Sequence, residues 1–247
     1  MKLVAAARQN RRAPTTREDN LLDALIFDFD GVIVDSEPVH MAAFQSVLAA
    51  VGVTLSPEDY YQRYIGFDDH DCFEAVGKET GAGFTERQIA EMTASKTALL
   101  KRAFAESISS MPGAAALIRA AAAVDIPLAI CSGALREEIT LAAGATRVLQ
   151  FFQTIVSAED VPRGRGKPDP AGYRLAAERL TAISGRTIDP ARCVVVEDSP
   201  AGIDAAKALG MKVLAVTNSC PRDTLHAADH VVDSLNDVDV KALDALT

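Results

Sequence analysis

Leu25-Ile26-Phe27-Asp28-Phe29-Asp30-Gly31-Val32 is the stretch that decides the fold, because an apolar run ends there in two aspartates one residue apart. The run predicts a strand that is buried on both faces, as in a parallel sheet. Side chains alternate between the faces of a strand, so Asp28 and Asp30 are expected on one side, and Gly31 allows a sharp exit. Carboxylates this close repel each other unless a cation neutralises them or one is protonated, and both arrangements are typical of catalytic sites. The alternative, a turn in which the aspartates are only polar punctuation, stays open at this point.

Length, charge and cysteine content limit the class of protein. The chain has 247 residues, 49% hydrophobic content and a formal net charge of −9, without an apolar run long enough to span a membrane. This predicts a globular protein with a small-molecule substrate, and it disfavours nucleic acid or an anionic membrane as the main partner. The cysteines lack C-x-x-C spacing, which favours a reducing cytoplasm over a disulfide framework or a zinc site. Nothing in the composition indicates the oligomeric state.

The first residues differ in composition from the rest of the chain. Before position 18 they include several basic residues and no acidic one, namely Lys2, Arg8, Arg11, Arg12 and Arg17. They lack the apolar core of a secretory signal. We expect residues 1–20 to be a basic extension without fixed structure, with organelle targeting as the less favoured alternative.

Beyond residue 111, apolar strands alternate with amphipathic helices. The predicted strands are 127–131, 154–156, 193–197, 212–216 and 230–232, and the predicted helices are 113–123, 135–143, 170–181, 201–209 and 224–227. Such alternation predicts an α/β fold with a doubly wound parallel sheet, a Rossmann-like core. Ligands of these sheets bind beyond the carboxyl ends of the strands. Asp28 and Asp30 should therefore meet Ser132 and Glu197-Asp198, which also end strands.

Residues 38–108 interrupt this alternation. They read as consecutive helices at 39–51, 57–64, 69–79 and 86–104, without a convincing strand. We therefore predict an inserted α-helical cap domain over 38–108, between core segments 21–37 and 109–247. Because the insert leaves the core directly after the Asp28–Gly31 turn, it should cover the strand ends.

Four motifs that contain chemically useful residues follow one another along the chain. They are FDFDGVIVDSEPVH at 27–40, ICSGA at 130–134, GKPDP at 166–170 and VVVEDSPAGI at 194–203. Their order, with a helical insert between the first and the second, resembles the haloacid dehalogenase (HAD) superfamily of phosphatases and phosphomutases. The chain is similar in particular to the subfamily of β-phosphoglucomutase and phosphoglycolate phosphatase-like enzymes, over nearly everything after residue 22.

The resemblance implies a role for each motif. It implies that Asp28 is the nucleophile that forms an aspartyl phosphate. Asp30 would then protonate the leaving alkoxide and later deprotonate water. Lys167 would hold the nucleophile and the phosphoryl oxygens together, and the Ser132 hydroxyl and the Gly133 turn would bind a phosphoryl oxygen. In the alternative interpretation, Lys167 is a solvated loop lysine.

The chemistry also calls for a divalent cation. A carboxylate that attacks a phosphate dianion meets charge repulsion, and Mg²⁺ suits carboxylate ligands that leave room for water and substrate. The resemblance implies Asp28, the Asp30 backbone carbonyl and Asp198 as ligands, with Glu197 beside the metal directly or through water. Glu197-Asp198 also fits a helix cap before Ser199-Pro200, and the two interpretations are compatible.

The expected function is magnesium-dependent hydrolysis of a small phosphate monoester. A β-phosphoglucomutase-like mutase is the alternative, in which a cap arginine and a Lys-Asn pair hold a second phosphate. This chain has Gly66-Phe67-Asp68-Asp69-His70 and Leu135-Arg136 at those places. The acidic segment would repel a second phosphate, whereas Arg136 keeps the mutase open. A phospho-accepting regulatory or binding module is disfavoured by the insert and by Asp30. His40 could contact the mouth of the site, but a structural or exposed position is favoured.

Overall fold

The computed structural model describes residues 22–65, 67, 69–106, 108–162 and 164–247. The predicted basic extension lies outside these residues. The strands are β1 (Ala24–Phe27), β2 (Val34–Asp35), β3 (Ser109–Ser110), β4 (Leu128–Cys131), β5 (Thr154–Val156), β6 (Cys193–Glu197), β7 (Lys212–Val216) and β8 (His230–Val232). The helices are α1 (Glu37–Ala50), α2 (Pro57–Asp59), α3 (Asp69–Thr80), α4 (Glu86–Glu106), α5 (Ala114–Ala123), α6 (Arg136–Ala145), α7 (Ala171–Ser184), α8 (Pro200–Lys207) and α9 (Val240–Asp244).

The main sheet is parallel and has the strand order β5-β4-β1-β6-β7-β8. β1 lies between β4 and β6, and all its residues are buried. A hydrophobic cluster lies on each face, one around Phe27 and the other around Ile26. This confirms the α/β, Rossmann-like fold class, because a strand covered on both faces needs the unbroken apolar sequence that β1 has.

Most predicted strands have the predicted bounds. Those at 154–156, 193–197, 212–216 and 230–232 are confirmed. β4 begins one residue later than predicted, at Leu128, because Pro127 has no amide hydrogen; its carbonyl nevertheless accepts from the Leu25 amide (2.9 Å).

Two expectations about local structure were wrong. β1 ends at Phe27, so the strand does not include both aspartates, although the Asp28 amide still donates to the Val196 carbonyl (2.9 Å). The helix predicted at 224–227 is a 3₁₀ turn, Arg222–Leu225, because the Thr224 amide bonds only three residues back, to the Pro221 carbonyl (3.0 Å).

Two short strands at the borders of the segment 38–108 were not predicted. β2 and β3 pair antiparallel, with Val34 opposite Ser110. β2 leads from the sheet to the helices and β3 leads back, and the two segments hydrogen-bond each other's backbone amides and carbonyls. A Ser-Ser pair carries no local strand signal.

The helices α1, α3 and α4 pack around a hydrophobic cluster of their own, which includes Phe44, Tyr60 and Phe73. After α2 the chain continues as a single π-helical turn, Tyr60–Tyr64. Leu100 and Phe104 of α4 belong instead to a cluster of the sheet, so α4 anchors these helices on the core. The division into core and cap domains at 38–108 stays a prediction. Within the described ranges, no helix combines the length and apolar character needed to cross a bilayer.

Candidate active site

The carboxyl ends of β1, β4 and β6 meet at the centre of the sheet, and each is followed by a polar side chain. Asp28 follows β1, Ser132 follows β4, and Asp198 follows Glu197, the last residue of β6. The Ser132 amide donates to the Val156 carbonyl (2.9 Å), which extends the β4–β5 ladder and fixes where this residue lies. The sheet therefore brings together side chains that are far apart in sequence.

Asp28, Glu197 and Asp198 form a buried acidic group. Each offers a carboxylate oxygen, and these atoms lie within 4.8 Å of one another. Lys167 reaches into the group: its ammonium donates to Asp28 Oδ1 and to Glu197 Oε1, the latter at 2.6 Å. It also lies 5.0 Å from the centre of the Tyr173 ring. One lysine thus faces three carboxylates.

Burial and charge determine how these groups titrate. Burial raises the pKa of Asp28 well above its usual value, against the opposing effect of Lys167. Burial and the charge of Glu197 raise the pKa of Asp198 to about 7. Burial alone would lower the pKa of Lys167, but Asp28 and Glu197 raise it well above its usual value. Ionising all three carboxyl groups beside a single lysine is therefore unfavourable, and a divalent cation would stabilise their ionised forms.

Glu197 has its hydrogen-bonding capacity filled by the protein. Oε1 accepts from Lys167 and from the Tyr173 hydroxyl (2.8 Å), and Oε2 accepts from the Asp198 amide (2.8 Å) and from the Ser199 amide (3.0 Å) and hydroxyl (2.9 Å). A carboxylate has about four lone-pair positions. Although Glu197 lies within reach of a shared cation, its contacts suit it better to positioning Lys167 and Asp198 than to binding a metal directly.

Asp30 lies beside this acidic group, in contact with hydroxyls. Its Oδ1 accepts from Ser36, and its Oδ2 lies 3.5 Å from the Ser132 hydroxyl. The Ala134 amide donates to Ser132 Oγ (2.9 Å) and so orients that hydroxyl. Asp30 and Gly133 line a cavity of about 510 Å³ between the sheet edge and the helices. His40 lines it too and is half-buried, with its Nδ1 3.1 Å from the Lys96 ammonium, so a structural position and contact with the cavity are combined.

Gly31 lets the chain turn away directly after Asp30. Its φ is +72°, and a Cβ there would overlap the carboxylate of Asp198 and the Ser219 hydroxyl. The Asn218 side chain donates to the Gly31 carbonyl (2.6 Å). The glycine therefore serves both the left-handed turn and the close approach of Asp198 to the Asp28 loop.

Arg136, which kept the mutase interpretation open, is held away from the cavity. Its guanidinium donates to the Asp160 carboxylate and to the Ile155 carbonyl (3.1 Å). Asp69, in the acidic segment predicted to repel a second phosphate, lies on the cavity wall. Gly66 and Asp68 of that segment are outside the described residues.

Sequence reasoning missed several residues of this region: Ser36, Lys96, Tyr173 and Ser219. Two of them carried a signal. Lys96 interrupts the apolar stripe of α4 between Met92 and Leu100, and it is only 1% exposed. Ser219 follows β7, where the rule applied to Ser132 would have found it, and its hydroxyl donates to Asp198 Oδ2.

Substituting Lys167 by Met is expected to destabilise the fold. The change leaves Asp28 and Glu197 buried without their cation, which we expect to lower the free energy of unfolding by about 3 kcal/mol. Lys78→Met is the control, because Lys78 is 70% exposed and its bond to Glu74 lies on the surface. Denaturant unfolding without divalent cations measures both variants. Equal stability of Lys167→Met and wild type would contradict the buried ion pair.

The sheet order, the acidic group and the lysine together define a Rossmann-like α/β protein with a buried group of carboxylates at the carboxyl ends of its central strands. The chain belongs to the haloacid dehalogenase-like hydrolase family, whose sequence model matches residues 25–216.

Individual relatives extend this result. Protein CbbY of Rhodobacter capsulatus is 30% identical over 232 residues, covering 91% of this chain and 99% of that protein. The 6-phosphogluconate phosphatase of Escherichia coli is 28% identical over 193 residues, covering 78% and 81%. The crystal structure of a CbbY variant from Rhodobacter sphaeroides in complex with xylulose 1,5-bisphosphate has a TM-score of 0.77 and 26% identity, covering 90% and 99%.

Proposed function

We propose that this protein is a magnesium-dependent phosphatase that hydrolyses a small phosphorylated metabolite through an aspartyl phosphate on Asp28. One observation carries the proposal: Asp28 is held by Lys167 beside Asp198, next to a cavity that Asp30 lines. Such an arrangement supplies a nucleophile, a balancing charge and a proton carrier at one place. The relative named 6-phosphogluconate phosphatase supports this class of reaction.

In the first step, a carboxylate oxygen of Asp28 attacks phosphorus, and the bond from phosphorus to the ester oxygen breaks. Asp30, as the acid, gives its proton to that oxygen, so that the product leaves as an alcohol. Lys167 already bonds Asp28 and would hold a phosphoryl oxygen beside it. The Ser132 hydroxyl and the Gly133 amide are the proposed donors to another phosphoryl oxygen.

In the second step, water attacks the phosphorus of the aspartyl phosphate. Asp30, now a carboxylate, takes a proton from the water, and the bond between phosphorus and the Asp28 oxygen breaks. Inorganic phosphate leaves, and both aspartates return to their starting states. The Ser36 hydroxyl, which donates to Asp30, orients that carboxylate for both proton transfers.

The residues at the strand ends fit Mg²⁺. Asp28 and Asp198 would hold it together with the Asp30 backbone carbonyl, while Glu197 positions Asp198 through its amide (2.8 Å). These are hard oxygen ligands, as Mg²⁺ prefers. When bound, the ion would neutralise the charge between phosphate and nucleophile.

The helices α1 to α4 are proposed to act as the cap that surrounds the part of the substrate beyond the phosphate. α1, α3 and α4 contribute His40, Asp69 and Lys96 to the cavity. A location in the reducing cytoplasm is also proposed, since none of the four cysteines, all within the described residues, forms a disulfide.

The mutase has less support than the phosphatase. A mutase must hold a second phosphate, but Arg136 bonds Asp160, and the cap offers the carboxylate of Asp69. The regulatory-module alternative does not explain the proton carrier Asp30 at the cavity. Both alternatives are tested by the same assay.

Removal of divalent cations is expected to abolish phosphate release, and Mg²⁺ is expected to restore it. Without substrate, Mg²⁺ should also raise the thermal unfolding midpoint, because an ion that binds only the folded state stabilises it. NaCl at equal ionic strength is the control. Full activity in chelator, or an equal midpoint shift with NaCl, would contradict the metal assignment.

The function itself is tested by phosphate release across a panel of sugar, polyol and short-chain phosphomonoesters in Mg²⁺. Release from at least one ester supports the phosphatase. Conversion of β-glucose 1-phosphate with its bisphosphate activator, without phosphate release, would establish the mutase instead. No reaction in either assay would contradict both.

A further inference from the structure

The far wall of the cavity is formed by the helices α1, α3 and α4. Among the described residues that line this cavity, the cationic side chain is Lys96, whereas Asp30, Glu37, Asp69 and Glu138 carry carboxyl groups. Its volume of about 510 Å³ is within the range of small-ligand sites, roughly 300–1,000 Å³. The charge on this wall therefore bears on which phosphate esters fit.

Lys96 is already engaged by the protein. Its ammonium donates to Asp69 Oδ1 at 2.5 Å and lies 3.1 Å from His40 Nδ1. The ring centre of Phe44 is 4.0 Å away, so an aromatic face also receives the charge. The side chain is 1% exposed. An anion that approached this ammonium would compete with Asp69, which already neutralises its charge.

The remaining carboxyl groups of the wall are partly satisfied by the protein. Glu37 accepts from the Tyr60 hydroxyl (2.5 Å), and Glu138 accepts from the Leu135 amide (3.2 Å). Burial raises the pKa of both Glu37 and Glu138, which reduces their charge. The wall therefore disfavours an anionic ligand group, but it does not require a cationic one.

The wall contains several groups that can form hydrogen bonds with the hydroxyl groups of a ligand. Carboxylate oxygens accept from hydroxyls, and hydroxyls of Ser36, Tyr60, Thr93 and Thr97 line the same cavity. The Ser36 and Tyr60 protons are used by Asp30 and Glu37, so these two oxygens can accept from a ligand hydroxyl. A polyhydroxylated, uncharged group can satisfy such a wall. A second phosphate or a carboxylate would have to be desolvated beside several carboxyl groups, and no described residue of the cavity lining offers it an unpaired cation.

We infer that the cavity selects phosphate monoesters whose remaining part is uncharged and polyhydroxylated, and that Asp69 is a specificity-determining residue because it neutralises Lys96. The inference rests on the proposed phosphatase function and names its substrate class. It separates this chain from the relative that is named for 6-phosphogluconate and from the CbbY variant that binds a bisphosphate.

The test compares ligands that differ in one group. Glucitol 6-phosphate and 6-phosphogluconate differ in a hydroxymethyl against a carboxylate, and glucose 6-phosphate and glucosamine 6-phosphate differ in a hydroxyl against an ammonium. Calorimetric binding to Asp28→Asn protein in Mg²⁺ avoids turnover. We expect at least tenfold tighter binding of the hydroxymethyl ligand than of the carboxylate ligand, and no preference for the ammonium ligand.

A second substitution in that protein isolates Asp69. Asp69→Asn should free Lys96 and reduce the hydroxymethyl preference at least fivefold, mainly through tighter binding of 6-phosphogluconate. The matched control is Asp71→Asn on the same helix, since the Asp71 side chain is 65% exposed and lies outside the cavity lining; its ratio should not change. If Asp69→Asn does not fold, Asp69→Ser makes the same test.

The outcomes separate this inference from the proposed function. Equal binding of the first pair, tighter binding of the ammonium ligand, or an unchanged ratio in Asp69→Asn each overturns the inference. Wild-type phosphate release without this selectivity would leave the phosphatase standing. Selective binding without phosphate release from any ester would overturn the phosphatase and keep the selectivity.

Discussion

Asp28→Asn is expected to reduce phosphate release by at least about 10⁴-fold, as loss of a catalytic nucleophile does in other hydrolases. The amide of Asn is not a nucleophile, so an acyl phosphate cannot form. The substitution keeps the size of the side chain next to Lys167. It also removes a carboxylate whose pKa is raised by burial, so the folded state should be at least as stable as wild type.

The measurement pairs steady-state phosphate release with rapid acid quench of labelled substrate. Wild type should yield labelled protein that hydroxylamine releases, and Asp28→Asn should yield none. Asp35→Asn, an exposed aspartate in β2, is the matched control and should retain full activity. More than one per cent of wild-type activity in Asp28→Asn would show that another residue is the nucleophile.

Asp30→Asn is expected to reduce kcat for alkyl phosphates by roughly 10²–10⁴-fold, the usual contribution of a general acid–base group. The loss should depend on the leaving group, because nitrophenolate leaves without a proton whereas an alkoxide does not. With p-nitrophenyl phosphate, the first step should stay fast and the hydrolysis of the aspartyl phosphate should become slow. A merely structural role of Asp30 would slow both steps.

Stopped-flow absorbance separates these steps. Asp30→Asn should release about one equivalent of nitrophenol in a burst, followed by slow turnover, as expected when a covalent intermediate accumulates. Asp35→Asn again serves as the control and should show wild-type kinetics. An equal reduction of kcat for alkyl and nitrophenyl esters, without a burst, would show that Asp30 does not transfer these protons.

Much of the fold was readable because its signals are local. The run before Asp28 predicts a strand buried on both faces, and the alternation beyond residue 111 predicts the parallel sheet; both are confirmed. The errors occurred where a segment is too short for its sequence pattern to identify its structure, or where a strand depends on pairing with a distant segment. The segment Arg222–Leu225 forms a 3₁₀ turn. β3 pairs with β2 although Val34 and its partner Ser110 are far apart in sequence, and local periodicity does not report such a contact.

For the site, the residues predicted to meet do meet. Asp28, Lys167, Glu197 and Asp198 lie together, and Asp30 lies close to Ser132. Their chemical roles stay predictions. The rule behind their placement also applied to Ser219 after β7, so that residue could have been found. Tyr173 could not, because its hydroxyl points from an apolar helix face toward Glu197.

The sequence by itself determined the order of the elements and the side chains at the strand ends, because the periodicity of burial is local and the carboxyl ends of parallel strands share one edge. Only the tertiary structure decided what surrounds that edge. Asp69 and Lys96 pair across 27 positions, Glu197 fills its oxygens with Tyr173 and Ser199, and Arg136 is turned toward Asp160. Each of these contacts depends on how helices pack against one another and against the sheet, which sets distances between side chains that no spacing along the chain encodes.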